Sequence, residues 1–462
     1  MEDTPHMILS LDEIYRRTED GPIVEEEYFD KKLLPRKLRE LAKEYDINYN
    51  PEEPVPTDDK LADDVFEAGK KLLCDVGILC VDTGRLIKFS EDEIKEGLKA
   101  APNKITIGQG ERSREITERK AEDKKIPWLV PGPSGMPISE DLASVIAQSI
   151  VQEPLAEGYW TPTITKYGGM EVKLHSPLEV LASRYEIISA KEGVRKAGKE
   201  GLPIVGGMTG LSPAGFIASI FNGGFTRGDC LLVSCMNELK INYDIMTKVW
   251  FVSKCSDVNL MYDATPLLGG IAGGPEGTAL VSVAQEIECL LLGADLSGGN
   301  SIDIWSGTSS GRKTMWASNL FLNAMNRNVN AIEYCYHFAA AGPCTEMLLY
   351  EGAAKTISVV AAGYDFHCGP LALRAGKEDY ISPLEFRLSC EVAHAMAGIK
   401  RENANYLIKE LLAKFEDKIQ KPPLGKSFTE CMDLTTLQPS KEWQAIYEKV
   451  KKELEDLGIK FK

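Results

Sequence analysis

Apolar and polar positions alternate in two textures along the 462 residues. Through residue 126, charged stretches carry apolar residues at helical spacing and are separated by turns. "DDKLADDVFEAGKKLLCDVGIL" (58–79) reads as an amphipathic helix, and "SEDEIKEGLKAAP" (90–102) opens on a Ser90–Glu93 capping box and stops before Pro102. After Lys125, short apolar or small-residue runs recur, each followed by a turn and a helical stretch. They are "IPWLV", "GYWTPTIT" (158–165), "PIVGGM" (203–208), "CLLVSC" (230–235), "DVNLMY" (257–262), "NSIDIW" (300–305), "AIEYCY" (331–336) and "YDFHC" (364–368). The helices between them start well: in "SPLEVLASRYEIISAKEGVRKAG", Ser176 is the N-cap and Pro177 the first helical residue. Eight strand–helix units in a row predict an α/β fold, a (β/α)8 TIM-type barrel over 127–420. An N-terminal helical layer (1–126) and a C-terminal helical tail (421–462) flank it, and a doubly wound open sheet is the alternative.

In such a barrel the reactive groups sit at the C-terminal ends of the strands. That rule selects Gly132 to Gly135, Met208, Cys235 with Glu238, Tyr262 with Asp263, Trp305, Tyr336 to Phe338, and His367 with Cys368. Glu238 and Asp263 follow adjacent strands, so their carboxylates are expected to share a cavity, for acid–base work or to hold a cation. The plainer reading of Glu238 is a helix cap. Trp160, Tyr262, Trp305, Tyr336 and Phe338 fall near strand ends, and rings beside acids suit a methylated ammonium by cation–π attraction. Barrel packing is the better explanation of any one of them alone, and only their clustering points to a site. His337, His367, Cys368 and Cys235 suggest a zinc site as an alternative.

Composition narrows the classes. A net charge of −16 argues against a nucleic-acid surface, and 44% hydrophobic residues support a large core. The eleven cysteines are scattered and mostly in apolar settings, as in a reducing compartment. No apolar run reaches the length of a membrane span and the first residues lack a signal-peptide pattern, so a cytoplasmic protein is expected. "LGKS" lacks the earlier glycine of a phosphate loop, and "GQGERS" misses the last glycine of a dinucleotide fingerprint. "GTSSG" (307–311) has no evident histidine partner, which argues against a hydrolase.

One turn is peculiar. In "IVGGMTGLSPAG" (204–215), Gly206, Gly207 and Gly210 permit close approach, yet Met208 stands among them with a long side chain. This segment, with "GPSGMPISEDL" (132–142), "SPLEVLA" (176–182), "NELKINYD" (237–244), "GGIAGG" (269–274), "AGPCTEM" (341–347), "GKSFTEC" (425–431) and "KKELEDLGIKF" (451–461), resembles the monomethylamine:corrinoid protein methyltransferases of methylotrophic methanogens. The likeness runs in order along essentially the whole chain. It implies a barrel in homo-oligomers, hexamers by family precedent, over whose mouth a separate small corrinoid protein docks. The cobalt cofactor belongs to that partner, and the barrel binds none tightly. The implied reaction moves a methyl group from an amine to Co(I).

The family's hallmark is pyrrolysine at the end of the third strand, whose imine carbon takes up the amine. The resemblance puts Met208 at that position, Asp263 where the family has a glutamate, and Tyr336 where it has a glutamine; Glu238 matches outright. A thioether has no electrophilic carbon and forms no amine adduct. The expectation is therefore a different donor, a quaternary ammonium or sulfonium that leaves as a neutral molecule. Met208, Glu238 and Asp263 would be the catalytic residues, and Tyr336, Phe338, Trp305 and Tyr262 would bind the substrate. Two readings stay open beside it: an amber-encoded pyrrolysine replaced at position 208, and a homologue that binds a corrinoid protein without transferring methyl groups.

Overall fold

A computed structural model describes residues 9–461. At its centre eight parallel strands form one sheet: β1 (Trp128–Leu129), β2 (Tyr159–Trp160), β3 (Ile204–Gly206), β4 (Cys230–Ser234), β5 (Asn259–Ala264), β6 (Leu296–Gly299), β7 (Glu333–Phe338) and β8 (Phe366–Leu371). Their spatial order is 1-8-7-6-5-4-3-2. The N–H groups of Glu157 and Trp160 donate to the carbonyls of Leu129 and Pro131 at 2.9 and 3.1 Å, which joins β1 to β2 and closes the barrel. Closure excludes the open sheet.

Each strand is followed by a helix: α1 (Ala143–Val151), α2 (Pro177–Lys196), α3 (Pro213–Ala218), α4 (Tyr243–Cys255), α5 (Pro275–Leu291), α6 (Arg312–Asn328), α7 (Glu346–Ala362) and α8 (Pro383–Met396). α2 starts as expected, with the Ser176 hydroxyl accepting from the Glu179 N–H and Pro177 in the first turn. α5, α6 and α7 are buried along nearly their whole length, because further helices cover them: Asp59–Val76 packs on α5 and α6, and Arg401–Phe415 on α7.

One strand expectation is corrected. β6 is "LSGG" (296–299), not "NSIDIW". β6 is hidden from strand propensity by its glycines, which are required there. Gly298 and Gly299 have φ of 151° and 136°, and a Cβ on either would lie 2.3 Å from the Tyr334 carbonyl oxygen or 1.9 Å from that of Ala264. Ile302–Asp303 instead pairs with Leu267–Leu268 above the mouth, in a separate two-stranded sheet.

The region before β1 holds two hairpins besides its helices, Ile78–Cys80 with Arg85–Ile87 and Lys104–Ile107 with Arg114–Thr117. Ile78–Cys80 also pairs with Lys240–Ile241, beyond β4, and Lys240 Nζ reaches Glu26 and Asp30 at 3.1 and 3.0 Å. This ties the N-terminal region to a loop at the mouth. Among the described residues no helix is long and apolar enough to cross a membrane.

Candidate active site

Asp263 is the last residue but one of β5 and Tyr336 lies on β7, with β6 between them. The position in register with Asp263 on β6 is Gly298, so no side chain stands in the gap. Across it the Tyr336 hydroxyl donates to Asp263 Oδ2 at 2.7 Å, and the Thr265 hydroxyl bonds Tyr336 from the other side. Asp263 Oδ1 is buried without a partner. Burial pushes the Asp263 carboxyl up to about 6, opposed by the hydrogen bond from the Tyr336 hydroxyl. Ser234, in register with Asp263 on β4, is exposed, so solvent reaches the rim beside the acid.

Met208 stands in the loop after β3, at the open end of the cylinder. Gly206 and Gly207 before it have φ of 127° and 88°. Its terminal methyl lies 2.8 Å from where a Cβ on Gly135 would be, so the glycine makes room for the long chain. The Thr163 hydroxyl donates to the Met208 carbonyl at 3.3 Å.

Beneath this rim the barrel is filled with rings. Trp160 lies 5.7 Å from Tyr336 at 88°, 5.9 Å from Tyr334 and 5.3 Å from Phe366. All four are buried and form a packed floor. Phe338, half-buried and 4.9 Å from Tyr336, continues the set to the rim. The other two aromatic candidates lie elsewhere. Tyr262 precedes Asp263 on the strand and so faces outward, buried near Cys235, Glu288 and Cys289. Trp305 is 77% exposed in the loop after β6. Of the four aromatics expected to bind substrate, Tyr336 and Phe338 lie on Asp263's side of the mouth, and Tyr262 and Trp305 do not.

Glu238 is buried, but it is neither a helix cap nor seen to share a cavity with Asp263. The α4 cap is Asn242, whose side chain accepts from Ile245 at 2.8 Å. Glu238 Oε1 accepts from the Leu267 N–H at 3.0 Å and so braces the loop after β5. Burial pushes its carboxyl up to about 7, opposed by hydrogen bonds from the Leu267 and Ala272 N–H groups.

The zinc alternative is not supported, because each of its four residues meets a different partner. His337 Nε2 meets Ser310 Oγ at 3.0 Å and His367 Nε2 meets Thr356 at 2.9 Å. Cys235 Sγ lies 3.5 Å from that of Cys289, and Cys368 contacts the Gly132 carbonyl. Among the described residues no three His, Cys, Asp or Glu side chains could hold a metal ion together.

Sequence reasoning missed two acids. Glu186 on α2 accepts from the N–H groups of Met208 and Thr209, both at 2.8 Å. Glu179, two turns earlier, accepts from the Ser212 N–H at 2.7 Å and its hydroxyl at 2.8 Å. Burial pushes the Glu186 carboxyl above its ordinary range. The signal was present: acids seven residues apart share a helix face with Ala182, Ser183 and Ala190, all buried.

The monomethylamine methyltransferase MtmB family model matches residues 9–459. Monomethylamine methyltransferase MtmB1 of Methanosarcina barkeri is 31% identical over 452 residues, covering 97% of this chain and 98% of the relative. MtmB1 of Methanosarcina acetivorans is 32% identical with the same coverage. The crystal structure of Methanosarcina barkeri MtmB superposes with a TM-score of 0.95 at 31% identity, covering 98% of each chain, and the structure of a hydroxylamine MtmB complex does so equally.

Proposed function

The chain belongs to the monomethylamine methyltransferase MtmB family, and from that footing we propose that it moves a methyl group from a small quaternary ammonium or sulfonium to Co(I) of a separate corrinoid protein. The observation that carries this reading is Asp263, a desolvated carboxylate with one oxygen unpartnered at the barrel mouth. With its carboxyl at about 6, it is mostly ionised at neutral pH and attracts a cation. Tyr336 and Phe338 add ring faces, each about 0.5–2 kcal/mol toward an ammonium.

Met208 supports the donor class. Its thioether lines the rim and offers no electrophile for an amine to join. A quaternary donor needs none. As the methyl carbon takes the electron pair of Co(I), the C–N bond breaks, its electrons stay on nitrogen, and a neutral tertiary amine leaves. Asp263 and the rings hold the cation, Met208 walls the methyl group, and Glu238 keeps the loop after β5 in place. The corrinoid protein docks over the mouth of a hexameric assembly, as the family resemblance implies.

Purified protein with a reduced corrinoid protein, followed by cobalt absorbance, tests this. Tetramethylammonium should consume the Co(I) spectrum and monomethylamine should not. Turnover of monomethylamine with quaternary donors ignored overturns the reading.

A further inference from the structure

We infer that Glu186 is the positioning residue for the side chain at 208, acting through the backbone that carries it. Three consecutive peptide N–H groups end in one polar device. Gly207 donates to Thr161 Oγ1 at 3.0 Å, Met208 to Glu186 Oε1 and Thr209 to Glu186 Oε2, each at 2.8 Å. Thr161, just past β2, also counters the rise of the Glu186 carboxyl's pKa through its hydroxyl. Both side chains are fully buried. Gly206 permits the approach, since a Cβ there would lie 2.3 Å from Thr161 Oγ1.

A turn this rich in glycine has many accessible conformations, and an unclamped loop would scatter the Met208 side chain. The two carboxylate oxygens accept two successive N–H groups, a bidentate contact that restricts the loop's conformation. The Cα–Cβ direction of residue 208 is thereby set from below, while its side chain remains free to face the rim. Glu179 holds the same loop at Ser212, beyond the residue that matters. This inference rests on reading Met208 as the wall of the methyl site, and its first test is independent of that reading.

The probe is the protein carrying 13C-methyl methionine, with the Met208 resonance identified by M208L. In E186Q an amide N–H faces a peptide N–H, so one of the two hydrogen bonds is lost. The Met208 methyl signal should shift or broaden in E186Q, and in the same direction but less in T161V, which keeps the volume and loses the hydroxyl. E179Q, an equally buried acid on the same helix, should leave that signal in place. A wild-type Met208 signal in both E186Q and T161V, or an equal shift in E179Q, overturns the inference. In the methyl-transfer assay, E186Q should lower kcat by roughly tenfold or more while KM changes less, since misplaced reacting groups cost rate; E179Q should not. A displaced Met208 signal with unchanged kcat would keep the positioning role and remove the catalytic reading of residue 208.

Discussion

Tyr336 and His337 are neighbours on β7, and their side chains enter opposite sides of the barrel wall. Inward, Tyr336 meets an acid with a free oxygen beside an exposed serine. Outward, His337 meets Ser310, whose hydroxyl donates to Glu351 at 2.5 Å. The second set has the composition of a hydrolytic triad but not its arrangement. Ser310, His337 and Glu351 are fully buried, and Glu351 also takes the N–H groups of Ala340 and Ala341 at 2.8 and 2.9 Å. The single hydroxyl proton goes to the carboxylate, the reverse of what an activated serine needs. Burial, with Lys355 and His367 nearby, holds His337 well below the usual imidazole range. Residue type does not separate the two sets. An unsatisfied acceptor next to solvent marks a place for a ligand, and a fully buried serine, histidine and acid mark a brace.

The sharpest break in that contrast is D263N, which should lower methyl transfer by roughly 10²–10³-fold, as loss of a main electrostatic partner does. Its melting temperature should hold or rise. The folded carboxyl sits at about 6 and an unfolded one near about 4, so ionising it costs stability as pH climbs through that window. Asparagine removes that cost.

Y336F comes next. Without the phenol the Asp263 carboxyl moves further above about 6, and the acid limb of kcat/KM shifts to higher pH. With a quaternary donor, which does not titrate, that limb reports on the protein alone. At pH 7 a loss of roughly tenfold is expected from a hydrogen bond to a charged group. S310A or E351Q should do the opposite: transfer within about twofold of wild type, but stability lower by about 1–3 kcal/mol in thermal or chemical melts. W305A should change neither beyond about 0.5 kcal/mol, because its ring is in water.

Much of this was legible in the sequence, and the failures share a cause. The βα rhythm located seven of the eight strands, and the strand-end rule picked out Met208, Asp263, Tyr336 and Phe338, which do stand at or near strand ends. Parallel strands are buried on both faces, so their sequences do not announce which residues point inward. Tyr262 and Asp263 were therefore both nominated, although consecutive residues cannot share a face. Trp305 was nominated from a strand that is in fact a loop, since β6 is built of glycine and small residues. Glu186 escapes because a single acid on a helix reads as a surface charge unless the small-residue face it shares with Ala182 and Ala190 is noticed.

The central claim is that the Asp263 carboxylate holds a cation at the mouth. Titration calorimetry with tetramethylammonium between pH 5 and 8 examines it without the corrinoid protein. The account predicts binding that weakens as pH falls through about 6 and is lost in D263N. Equal affinity at both ends of that range, or D263N binding like the wild type, would contradict it.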